Sequence, residues 1–306
     1  YCKKRLKIQV RFGHFQWGFF KEVSVYSFWI FLNAIMDRIY WSTGQFVLGM
    51  FKGAAVVAVY AVAIQLQGIY MGFSTAISGV FLPKVTAMVT KENDEKAISD
   101  LFIRTGRIQY IIMVFILTGF IVFGKSFICL WAGEDYMDAY WIALCFFIPL
   151  IVPYIQNLGI TILQARNQMK FRSILYVIIA VVSLCISIPF AKQYGGIGCA
   201  VGTAFALIAG QIIAMNVYYH RVIHIDIPQF WKEIGKMSII PLIIGLLFYS
   251  LFNVYEISTV WMLIIGILVF SLVYIPMFCF FGMNSYEKGL FFSPVQRIVN
   301  RFLKNL

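Results

Sequence analysis

Apolar residues in this chain fall into long, nearly unbroken runs. They show neither the strict alternation of half-buried strands nor the single apolar stripe of a surface helix. Eight runs, at about 23–48, 56–83, 108–130, 139–164, 172–191, 197–219, 238–254 and 258–281, reach the roughly 20 residues a helix needs to cross a bilayer. SILYVIIAVVSLCISIPFA (173–191) and VWMLIIGILVFSLVYIPMFCFF (260–281) carry no charge. Alternating strands of the length used by closed barrels do not occur, which excludes that architecture. The pattern predicts an all-α integral membrane protein of about eight transmembrane helices.

The polar connectors between the runs then set an orientation. Lysine and arginine collect in the amino-terminal segment, in 84–107, in 166–172, in 221–236 and in the tail, 21 in all, whereas the alternate connectors hold only Lys52, Lys125 and Lys192. Positive charge marks the cytoplasmic side, so both termini are expected there. An even number of spans agrees with that placement.

Composition and charge sharpen the same picture. The chain is 61% hydrophobic and 12% charged, against about 45–50% and about 25% in soluble domains. Its net charge of +12 sits at the ends of apolar runs, where cations meet anionic lipid. No nucleic-acid partner is expected. The tail SPVQRIVNRFLKNL (293–306) sets Val295, Ile298, Val299, Phe302 and Leu303 on one face and basic residues on another, the pattern of a helix lying on the membrane surface. The six cysteines are scattered, with no CxxC pair to suggest a disulfide framework or zinc site. Tyr1 is not an initiator methionine, and the first 20 residues lack the apolar core of a signal peptide, so an amino-terminal portion is expected to be missing.

Several short patterns invite chemistry and fall short of it. YGGIGCAVGTAFALIAG (194–210) is spaced GxGxxxG and follows no strand, unlike a dinucleotide loop. Gly198, Gly202, Ala206 and Gly210 instead form a small-residue helix face suited to close backbone approach. His220 and His224 lack a firm third ligand, so no metal is expected there. Glu134, Asp135 and Asp138 read as a solvated acidic loop. No nucleophile elbow or phosphate-binding loop is present, and the chain is not expected to be an enzyme.

The informative polar residues lie inside the spans. NAIMDRIYWSTGQ (33–45) carries Asp37 and Arg38 side by side near mid-span, where an ionisable group costs roughly 2.5–3.5 kcal/mol and ordinarily faces protein or a watery cavity. Neighbours on a helix point about 100° apart, so the two do not pair with each other. Asn33, Asp37 and Trp41 share one face, and each charge needs a partner elsewhere: another helix in a structural network, or a ligand in a cavity. Gln65, Gln67, Gln156, Asn157, Gln164, Gln211 and Asn216 add amides to other spans. Singly they read as interhelical hydrogen bonds, and together they suggest a shared polar space.

Longer stretches carry a resemblance. YAVAIQLQGIYMGFSTAISGVFLPKVTAM (60–88), FGKSFICLWAGEDYMDAYW (123–141), LQARNQMKFRSILY (163–176), YGGIGCAVGTAFA (194–206) and IDIPQFWKEIGK (225–236) follow in order. In this order they resemble the carboxy-terminal half of O-antigen and polysaccharide flippases of the multidrug/oligosaccharidyl-lipid/polysaccharide exporter superfamily. The resemblance implies a basic linker (1–22), a six-helix lobe (23–219), a cytoplasmic connector (220–237), two additional helices (238–281) and a basic tail (282–306). It also implies an absent amino-terminal lobe, a bacterial cytoplasmic membrane, and a polyprenyl-diphosphate-linked oligosaccharide as the substrate moved.

On that reading Arg38, Asn33, Trp41, Gln65, Gln156 and Asn157 are the expected substrate contacts, with Arg38 on the diphosphate. Asp37 is the candidate for coupling to protons or sodium, and no organic cofactor is expected. A drug/cation antiporter of the same superfamily is the nearest alternative. A membrane-embedded glycosyltransferase or polymerase is the alternative from another class, although its customary large external loop is lacking.

Overall fold

A computed structural model describes residues 16–91, 94–254 and 257–291. The proposed surface helix at 293–306, most of the basic linker and Cys2 lie outside the described residues. Those residues form helices joined by short turns, with no strand among them.

Helices α1 (Trp17–Phe51) and α2 (Ala54–Lys91) are joined by Lys52 and Gly53, whose φ of 85° suits glycine. Helix α3 (Glu95–Ala132) starts at Asp94, whose carboxylate accepts from the Lys96 and Ala97 amides. It ends at Gly133, whose φ of 107° lets its amide reach the carbonyls of Ile128 and Cys129. After a short 3-10 turn come α4 (Asp138–Ile155) and α5 (Leu158–Ala165).

The fourth apolar run was expected to be one span, 139–164. It is instead two helices, interrupted at Gln156 and Asn157. Pro149 and Pro153 lie in the turns before the break, where each removes a backbone donor.

Six stretches are long and apolar enough to cross a membrane: Ala54–Val89, Glu95–Ala132, Glu134–Ile155, Met169–Arg221, Ile227–Phe252 and Val260–Phe281. The fourth of these has 53 residues, about 80 Å of helix, far more than one crossing uses. It comprises α6 (Met169–Leu207), a π-helical turn (Ile208–Ala214) and α7 (Met215–Arg221). Helix α6 doubles back at Gly195, where φ is 63° and ψ is −137°.

Its two arms run antiparallel. The Ser187 hydroxyl donates to the Cys199 carbonyl at 3.1 Å. A Cβ added at Gly198 would lie 2.2 Å from the Phe190 carbonyl oxygen, and one at Gly202 would lie 2.9 Å from the Ser187 backbone. The small-residue face expected from the sequence is therefore a hairpin contact, and the run supplies two crossings. Helix α1 is long enough to cross but is not among the six stretches, since Asn33, Asp37, Arg38 and Gln45 interrupt its apolar character.

Helices α8 (Ile227–Val254) and α9 (Val260–Phe281) complete the bundle. With α1 and both arms of α6 counted, long helices stand where all eight apolar runs were read. Helix α1 packs most extensively on α6, and α8 on α3. Helix α9 rests on α3 through Phe115, Phe270 and Tyr274, and on α8 through Phe248 and Phe270. The chain is a multi-pass helical membrane protein.

Candidate functional site

A partly enclosed cavity of about 200 Å³ lies among α1, α2, α4, α5 and both arms of α6, towards the end of the bundle where α5 turns into α6. Helix α1 contributes Asn33, Asp37, Tyr40 and Trp41 to its wall, which are the positions the helical period places on one face. Asn157 enters from the α4–α5 break, Thr75 from α2, and Arg172 and Tyr176 from the first turns of α6. Gln211 enters from the π-helical turn, a wide turn of a kind often found at functional positions.

The charges here are arranged differently from the sequence expectation. Arg38, expected to be the sole cation inside a span, is exposed and lies outside the cavity wall. Arg172, assigned from the sequence to a cytoplasmic connector, is 6% exposed and lines the cavity. Its Nη2 donates to the Tyr176 hydroxyl at 3.0 Å, and its guanidinium sits 4.8 Å over the same ring. Asp37 shares the cavity wall with Arg172 and not with its own neighbour Arg38, and Trp41 lies beside it one turn on. Asp37 and Arg172 nonetheless make no direct ion pair; the ion pairs among the described residues are elsewhere.

Two residues of the wall also carry side-chain nitrogens without partners among the described residues. The side-chain amide nitrogens of Asn33 and Gln211 are buried and make no hydrogen bond. Such groups are costly in an apolar bundle. The tyrosines of the wall are better satisfied: the Tyr40 hydroxyl donates to the Thr203 carbonyl, and the Gln67 amide donates to the Tyr154 hydroxyl. Asn157 donates to the Ser74 hydroxyl at 3.1 Å, which fixes the α4–α5 break against α2.

Of the expected contacts, Asn33, Asp37, Trp41 and Asn157 come together here. Gln65 is exposed on α2, away from the cavity. Gln156 points elsewhere and exchanges hydrogen bonds with Asn216 at 2.9 and 3.3 Å, while the Trp231 indole also donates to Asn216. Sequence reasoning missed Arg172, Tyr176 and Thr75. For Arg172 the available signal was its position, one residue before an uncharged run.

A family described as "Polysaccharide biosynthesis protein" matches residues 2–141. No protein of curated function matches the chain in sequence. Among solved structures, the lipid II flippase MurJ in an inward closed conformation superposes with a TM-score of 0.62 at 19% identity, over 96% of this chain and 58% of that one. At that identity the likeness shows the fold alone, and the chain spans little more than half of the flippase's length. The family match over part of the chain and the fold agree with the resemblance drawn from the motifs.

Proposed function

We propose that this chain is one lobe of a transporter that moves a polyprenyl-diphosphate-linked oligosaccharide across the cytoplasmic membrane. The observation that carries the reading is a cavity holding both signs of charge and two unpartnered amides, inside a bundle otherwise suited to lipid. An apolar scaffold gains nothing from such a space, because ionisable groups within a membrane are expensive. The family match and the flippase fold support the same reading.

The cavity is too small for the substrate. At about 200 Å³ it falls below the roughly 300–1,000 Å³ of ligand sites. The oligosaccharide therefore travels outside it, between this lobe and a partner lobe facing α1 and α2. Arg38 and Gln65, both exposed on those helices, are the proposed contacts there. A guanidinium offers paired donors to a diphosphate, and an amide matches sugar hydroxyls. Asp37 inside the lobe is proposed to couple that movement to an ion gradient.

A drug/cation antiporter would use the same carboxylate, but the resident guanidinium beside Asp37 disfavours an organic cation at that place. The test is export of surface polysaccharide by the full-length transporter carrying Arg38→Ala or Arg38→Lys. Export is expected to fall in both, and further in the alanine variant. Undiminished export in both would remove Arg38 from the path.

A further inference from the structure

Asp37 was expected to meet a proton or a sodium ion, and Arg172 changes which of these the cavity can hold. Both side chains line the same space, and Arg172 is 6% exposed. Among the described residues its one side-chain hydrogen bond is to the Tyr176 hydroxyl, which leaves its other guanidinium nitrogens without a partner there. Besides Arg172, the titratable or charged groups in electrostatic reach of Asp37 are Tyr40, Tyr154, Tyr176 and the exposed Arg38. Arg172 is thus the buried cation facing Asp37 from the helix that packs most closely on α1.

We propose that Arg172 is the built-in counter-cation of Asp37, joined to it through water, and that this lobe consequently binds no alkali-metal ion. The cavity of about 200 Å³ has room for several waters at about 30 Å³ each. Those waters bridge carboxylate to guanidinium. A metal cation entering here meets a fixed positive charge with little solvent to screen it, and an anion meets Asp37. The couple is neutral as it stands. Of the two coupling ions considered for Asp37, sodium is thereby excluded.

The inference rests on the transporter reading only for its bearing on coupling, because ion binding is measured without transport. The full-length protein in detergent is melted in sodium chloride and in choline chloride at equal ionic strength. The wild type is expected to melt at the same temperature in both. Arg172→Gln leaves Asp37 without its partner and is expected to gain a sodium-specific rise of about 2 °C or more, as a ligand binding only the folded state produces. Adding Asp37→Asn to that variant abolishes the rise.

A sodium-specific rise in the wild type that Asp37→Asn abolishes overturns the proposal, and so does an Arg172→Gln protein that gains no sodium-specific rise over the wild type. Should Arg172→Gln fail to accumulate, the wild-type comparison decides alone. Undiminished export in both Arg38 variants would remove Arg38 from the path while leaving this result standing.

Discussion

Two arginines are buried in this bundle at nearly equal depth, and their surroundings could hardly differ more. Arg107 on α3 is 7% exposed and fully employed. Its Nε and Nη2 hold both oxygens of Glu287 at 2.6 and 3.0 Å, and its Nη1 holds Glu233 at 2.7 Å. Glu287, only 1% exposed, is further fixed by the Asn284 amide and returns the bond through its own. Arg172 has a tyrosine hydroxyl, a ring face and an open space.

The comparison separates charge used for assembly from charge kept available. The Arg107 cluster ties α3 to the start of α8 and to the segment after α9, and it leaves no room for a ligand. The Asp37–Arg172 couple ties nothing directly.

The contrast is sharpest where one partner of the paired cluster is removed. Arg107→Met leaves Glu287 buried and uncompensated, and is expected to cost about 3–5 kcal/mol. Purified yield and melting temperature should both collapse. Replacing Glu287 together with Arg107 by apolar residues should recover much of that loss, because the burden is the unpaired charge rather than the absent bond.

Next in size is a purely steric change away from both sites. Gly198→Ala drives a Cβ to 2.2 Å from the Phe190 carbonyl at the α6 hairpin. A cost of about 1–3 kcal/mol is expected from such overpacking, read as a lower melting temperature. Gln156→Leu removes two hydrogen bonds to Asn216, which keeps the Trp231 indole and the Ile212 carbonyl, and is expected to cost about 0.5–1.5 kcal/mol, with export reduced only in step with abundance. Normal stability with lost export would move Gln156 from packing to the transport path. The smallest effect belongs to Lys236→Ala. The Lys236 side chain is 63% exposed where it meets Glu233, and its loss should change stability by less than about 1 kcal/mol.

How far the sequence could foresee this follows from what each feature depends on. The helices were legible because a span needs only length and apolar content, both local. The Gly195 reversal was visible as a glycine pair between two apolar runs, and the small-residue face after it as a spacing. The face shared by Asn33, Asp37 and Trp41 followed from helical period alone. The break at Gln156 was hidden, since amides inside an apolar run look like interhelical contacts until the chain is seen to turn there. The partner of Asp37 was hidden for a stronger reason. Arg172 is far along the chain, and a basic residue at the edge of a span looks like a membrane anchor unless its helix turns it inward. The burial of Arg107 was hidden in the same way, since it was read only as one of many cytoplasmic cations.

The central claim is that the Asp37–Arg172 cavity serves transport while the Arg107 cluster serves assembly. Export of surface polysaccharide, divided by the amount of transporter in the membrane, tests it most directly in cells carrying Asp37→Asn or Glu287→Gln. The account predicts that Asp37→Asn accumulates normally and exports several-fold less per molecule. Glu287→Gln is predicted to accumulate poorly while each surviving molecule exports at the wild-type rate. Equal export per molecule for Asp37→Asn and the wild type would contradict the account.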